Sequence, residues 1–94
     1  MSIGQVRDNS ERSRWELHEE GNLVGIADYV VRDDVVVITH TEIHPSRRGK
    51  GLAEHLVRHA LDDVRAAGRR VEPRCWYVAE FLDANDDYAD LRPG

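Results

Sequence analysis

Glu42-Ile-His-Pro-Ser-Arg-Arg-Gly-Lys-Gly-Leu-Ala-Glu-His-Leu-Val-Arg-His-Ala-Leu61 decides the fold. A β-branched segment arrives from Val35, breaks at Pro45, passes two arginines and two glycines, and enters an apolar periodicity of helical spacing. A strand, a basic glycine turn and a helix N-terminus together make an anion site. The unpaired N–H groups of the first helical turn and the positive end of the helix dipole converge there.

Downstream of the turn, the spacing predicts a helix from about Gly51 to Ala67. Leu52, Ala53, Leu56, Val57, Ala60, Leu61 and Val64 recur every three or four residues, and Glu54, Arg58, Asp62, Asp63 and Arg65 cover the other face. Gly68 is suited to stop it. Arg69 to Pro73 reads as a short strand, and a strand–helix–strand unit places its two strands parallel. Cys75 then emerges at that strand's C-terminal end, where open sheets bind ligands. Trp76 to Leu82 predicts a second, shorter helix ended by Asn85, and Asp87 to Gly94 a polar tail with Tyr88 and Leu91 as anchors.

Upstream, Arg14 to Glu19, Leu23 to Arg32 and Val35 to His44 read as three strands joined by tight turns at Glu20-Gly-Asn22 and Asp33-Asp34. Such connections predict an antiparallel meander. In the last of the three, strict alternation puts Val36, Ile38, His40, Glu42 and His44 on one face, and Val35, Val37, Thr39, Thr41 and Ile43 on the other. Residues 1–13 read as a frayed arm, with Ile3 and Val6 able to pair as an edge strand. Trp15, Trp76 and Phe81 are assigned to the core.

Ninety-four residues support one domain, 1–94, with one core, and a monomer or weak homodimer is expected at this size. Thirteen basic against eighteen acidic residues give a net charge of −5, which argues against a nucleic-acid partner. The positive charge is local, at Arg47, Arg48 and Lys50, which suggests a small polyanion. A single cysteine excludes an intramolecular disulfide and a cysteine-based zinc cluster. Met1 to Ser13 lacks the apolar stretch of a signal peptide, and no apolar run has the length of a membrane span, so a cytoplasmic location is the expectation.

Arg48-Gly-Lys-Gly-Leu-Ala53 fits Arg/Gln-x-x-Gly-x-Gly/Ala in a strand–turn–helix–strand context. In this it resembles the acyl-CoA-binding motif of the GCN5-related N-acetyltransferase superfamily. From Trp15 to Leu91 the chain is similar to the very small members, with Pro73-Arg-Cys-Trp-Tyr77 and Asp87-Tyr-Ala-Asp-Leu91 as their closing segments. The resemblance implies an α/β (α+β) fold: an antiparallel meander, then strand–helix–strand with a parallel, splayed pair, then a short helix. It implies an acetyl-CoA-dependent N-acetyltransferase acting on a small-molecule or protein amine, with an open acceptor side. Amides from Arg48 to Ala53 (Arg48, Gly49, Lys50, Gly51, Leu52, Ala53) would hold the coenzyme A pyrophosphate, with charge added by Arg47, Arg48 and Lys50. The pantetheine arm would lie in the splay, the backbone N–H of Ile43 or His44 would polarise the thioester carbonyl, and Tyr77 would border the cofactor. The alternative is a non-catalytic acyl-CoA binder with the same fold.

Three further readings stay open on the residues. Cys75 is a nucleophile, a proton donor to the departing thiolate, or a small buried hydrophobe. The row His40, Glu42, His44 supplies a general base at His40 or Glu42, or is a solvated strand end; a metal is not required by this chemistry. Tyr77 and Tyr88 are proton donors or packing residues, and His55 and His59 are solvated positions on a helix flank.

Overall fold

Residues 4–93 are described by a computed structural model of the chain. Five strands form one sheet in sequence order: β1 (Gln5–Asn9), β2 (Arg14–Glu19), β3 (Asn22–Arg32), β4 (Val35–Ile43) and β5 (Arg70–Pro73). β1 to β4 run antiparallel and β4 pairs β5 in parallel, as the strand–helix–strand logic predicts. Gln5–Asn9, in the arm read as frayed, is a fully paired edge strand, and Val6 pairs opposite Leu17 as the edge-strand reading allowed. Ile3 lies outside the described residues.

Helix α1 (Leu52–Ala66) lays Leu56, Val57, Ala60, Leu61 and Val64 on the sheet face formed by Trp15, Leu17, Ala27 and Ile38. These apolar positions recur at three and four residues, which makes one buried stripe. Trp15 keeps its indole N–H satisfied by donating to Asp63 Oδ2 at 2.9 Å. Gly68 ends α1 at φ +72°. Its N–H donates to the Arg65 carbonyl and that of Arg69 to the Val64 carbonyl, both at 3.0 Å, which is the Schellman pattern.

Helix α2 (Trp76–Ala84) buries Val78, Phe81 and Leu82, and Asn85 closes it as the sequence predicts. Asp86–Leu91 is a 3-10 helix rather than a loose polar tail. Its two expected anchors hold: Tyr88 and Leu91 are both buried, and the Tyr88 hydroxyl donates to Asp62 Oδ1 at 2.7 Å. Trp76 departs from expectation, since it is 71% exposed and takes no part in the core. Among the described residues no helix is long and apolar enough to cross a membrane.

Two features of β4 position the site. Its pairing with β5 ends at Ile38 opposite Pro73, after which the strands splay. At the same point the register against β3 slips, from Tyr29 opposite Ile38 to Asp28 opposite His40, so Thr39 is an inserted bulge residue. The bulge overturns the strict alternation read from sequence. Val36 and Ile38 face α1, and beyond the bulge Thr41 and Ile43 share their face, while His40 and Glu42 turn to the opposite one.

Candidate functional site

The glycine turn is built by a short 3-10 helix, Pro45–Arg47, followed by two left-handed glycines, Gly49 (φ +81°) and Gly51 (φ +74°). Gly51 is the N-cap of α1 and offers no side-chain cap. The first intrahelical bond runs from the His55 N–H to the Gly51 carbonyl, so the N–H groups of Leu52, Ala53 and Glu54 precede it. A Cβ at Gly49 or Gly51 would meet nothing within 4 Å, so both glycines serve φ and leave the backbone approachable. The turn borders a cavity of about 220 Å³, walled further by Ile43, Ala53 and Tyr77.

The basic knot is partly engaged. Arg48 Nε donates to the Ile43 carbonyl at 3.2 Å, strapping the turn back onto the end of β4. Arg47 Nε lies 2.9 Å from Glu19 Oε1. Lys50 is exposed and borders neither cavity of the site. Glu54, at the third helical position, brings a carboxylate to the rim of the same cavity.

Beyond the turn, a groove of about 550 Å³ follows the splayed edge of β4 and shares Ile43, Arg48, Ala53 and Tyr77 with the first cavity. The backbone of this edge has a defined phase. The His44 N–H donates to the Val24 carbonyl at 2.7 Å, so antiparallel alternation turns the peptide groups of Ile43 and Thr41 away from β3, toward the groove. The Ile43 carbonyl received by Arg48 agrees with that phase. Of the two amides expected here, His44's is therefore taken up by the sheet and Ile43's faces the groove.

Cys75 is the N-cap of α2 and is 9% exposed. Its thiol donates to Thr41 Oγ1 at 3.4 Å. Burial pushes the thiol pKa up, but hydrogen bonds to the thiolate from the Thr41 hydroxyl and the backbone N–H groups of Val78, Tyr77 and Thr41 outweigh it. The net result lies below the usual thiol range. Tyr77 is half-buried between the two cavities, and burial, aided by the Glu54 charge, raises its phenol pKa.

His40 and Glu42 are brought together, Nε2 to Oε1 at 3.1 Å, and both are exposed. His44 is not part of their row: its Nδ1 accepts from the Ser46 N–H at 3.2 Å and caps the 3-10 turn. The groove takes in His40, Glu42, Thr41 and Cys75, so side chains from both faces of the bulged strand meet only at its open edge. Sequence reading missed Thr41, which strict alternation pairs with the wrong face, and Trp76, whose aromatic character pointed inward. His55 is more than a solvated flank residue, since its Nε2 lies 3.2 Å from the Gly4 carbonyl.

Residues 14–91 match the family model described as GCN5-related N-acetyl-transferase. Protein NATD1 of Mus musculus is 35% identical over 87 residues, which cover 87% of this chain and 78% of that protein. Protein NATD1 of Bos taurus is 39% identical over 51 residues; the match spans 54% of this chain and about half the length of that relative, 45%. Among solved structures, the NMR solution structure of a GCN5-like protein from Staphylococcus aureus has a TM-score of 0.74 at 20% identity, covering 100% of this chain and 92% of that one. A GNAT family acetyltransferase from Brucella melitensis, in complex with acetyl-CoA, has a TM-score of 0.59 at 19% identity, covering 77% of this chain and 54% of that one. At such identities the structural likeness speaks for the fold, while the family model speaks for descent. The chain belongs to the GCN5-related N-acetyltransferase family.

Proposed function

We propose that this chain transfers an acetyl group from acetyl-CoA to an amine. The observation that carries the reading is the continuity of the glycine-turn cavity with the groove along the unpaired edge of β4. A diphosphate fits the first part: it meets the early N–H groups of α1, two glycines that allow close approach, and the charge of Arg47 and Arg48. The second part offers an extended, amide-bearing arm the peptide groups of Thr41 and Ile43 that β3 does not use, as an added strand would use them.

The Ile43 N–H is then the donor for the thioester oxygen as charge develops on it. His40 and Glu42 receive the proton that a protonated amine must lose before attack. The amine nitrogen forms its bond to the acyl carbon, the carbon–sulfur bond breaks, and the thiolate takes a proton from Cys75 or Tyr77, which regains one as the product nitrogen loses its second N–H proton. Cys75 has the lowered thiol pKa and Tyr77 a retained phenolic proton, so both are equipped for that donation.

Calorimetric titration with acetyl-CoA and with CoA tests the binding half. Absence of heat at millimolar ligand sinks the proposal. Steady-state acetylation by Cys75→Ala and Glu42→Gln variants tests the chemistry, and a chain that binds CoA with no turnover of any amine is a binder instead.

A further inference from the structure

Trp76 is the large aromatic that the fold leaves uncovered. Trp15 is 3% exposed and hydrogen-bonded to Asp63, whereas Trp76 is 71% exposed. It meets Tyr77 at an edge-to-face angle, with ring centroids 5.9 Å apart and planes at 81°, and most of the indole stays open to solvent. It stands at the first position of α2, directly after Cys75, in the wall of the groove that also takes in His40, Glu42 and Arg74.

The charges of that wall are unequal in their freedom. Arg74 is ion-paired with Glu72, and Arg48 is bound to the Ile43 carbonyl. Glu42 has an imidazole and no guanidinium as its partner among the described residues, and 61% of its side chain is exposed. A carboxylate and an exposed indole on one groove both favour a cation. A second anion brought next to that cation would face Glu42, with Arg74 held by Glu72 and the charge of Arg48 assigned above to the diphosphate.

We propose that the acceptor of this groove is a primary alkylammonium with no carboxylate beside its amine, its cationic head seated between Glu42 and the face of Trp76. This rests on the acetyl-transfer reading above. The ammonium gives one proton to the His40–Glu42 pair, and the freed nitrogen attacks the acyl carbon. The carbon–sulfur bond breaks, and the thiolate takes up a proton as the second N–H proton is lost from the product nitrogen. Trp76 acts on recognition: it lowers the concentration of amine needed and leaves the chemical step to the other residues.

The test uses the full chain with acetyl-CoA and matched acceptors: tyramine against tyrosine, phenethylamine against phenylalanine, and pentylamine against norleucine. Thiol release is expected to give each amine a kcat/KM about tenfold or more above its parent amino acid. Trp76→Ala is expected to raise KM for the amines by roughly fivefold to tenfold, with kcat and calorimetric CoA affinity held, and Trp76→Phe to recover most of the loss. Amino acids used as well as the amines, or an unchanged KM in Trp76→Ala, would each overturn the assignment, whereas acetyl-CoA bound with no amine acetylated would make the chain a binder and remove the acetyl-transfer reading with it. Failure of wild type to bind acetyl-CoA would instead remove the reading beneath it, and the two failures are separable by the calorimetric arm.

Discussion

Arg48 reaches back across five residues to bond the carbonyl of Ile43, the residue whose own N–H faces the groove. One side chain thus joins the anion turn to the peptide expected to polarise the thioester. Arg48→Ala is expected to weaken CoA binding by roughly tenfold, in line with the loss of a charge-assisted hydrogen bond. Arg48→Lys restores charge without the planar fork and should recover only part of that affinity. Isothermal titration of the three proteins decides, and equal affinities would show that the strap does not serve the cofactor.

Gly51 holds φ +74° at the N-cap with open space around it, so any penalty for a side chain there is conformational. Gly51→Ala should cost about 1–2 kcal/mol, the penalty of the left-handed region for a residue with a Cβ. Urea unfolding measures this directly. A change within 0.3 kcal/mol, on the order of ordinary surface substitutions, would mean that the turn readjusts.

Cys75 should alkylate with a pH midpoint below that of an ordinary thiol, because the thiolate gains hydrogen bonds from Thr41 and the start of α2. Thr41→Val removes the hydroxyl and is expected to move the midpoint upward. Iodoacetamide rates across pH 6–10, a range on the order of two units either side of a free thiol, report it. Midpoints that coincide in the two proteins would remove Thr41 from the thiol's control.

Tyr29 ties the edge strand to the core: its hydroxyl donates to Asp8 Oδ1 at 2.7 Å and its ring meets Trp15 at 4.6 Å. Burial first, and then the Asp8 carboxylate, push its phenol pKa up to about 12. The folded state therefore favours the neutral phenol. That stability is intact below the unfolded tyrosine pKa of about 10, and it is lost as pH rises from there through about 12. Thermal melts between those limits should fall steeply for wild type and less so for Tyr29→Phe. Some slope should persist, since Tyr88 is raised as well, by burial and Asp62.

Much of this was legible in the chain. The α1 stripe, Gly68 and the two glycines of the turn act through period and φ, which a sequence displays directly. Strand β1 has one apolar residue, Val6, in Gln-Val-Arg-Asp-Asn, so its pairing owes nothing to alternation and a good deal to side-chain links such as Asp8 to Tyr29. The bulge at Thr39 was hidden for a different reason. One inserted residue between two runs of β-branched and polar residues leaves no compositional mark, yet it reverses every face assignment after it. Thr41 was thereby misplaced, and the contact of Cys75 with it could not be foreseen.

Thr39 behaves like a frameshift written into a strand. Upstream of it, β4 is read in the frame of the core, with Val36 and Ile38 addressed to α1. Downstream, the same strand addresses Thr41 and Ile43 to that layer only because one residue was counted twice against β3. Were the same residues paired without the bulge, tenants would be exchanged: His40 and Glu42 would turn toward the helices, and Ile43 toward water. One inserted residue thus lets core-facing and groove-facing side chains be chosen separately on the two halves of a single strand.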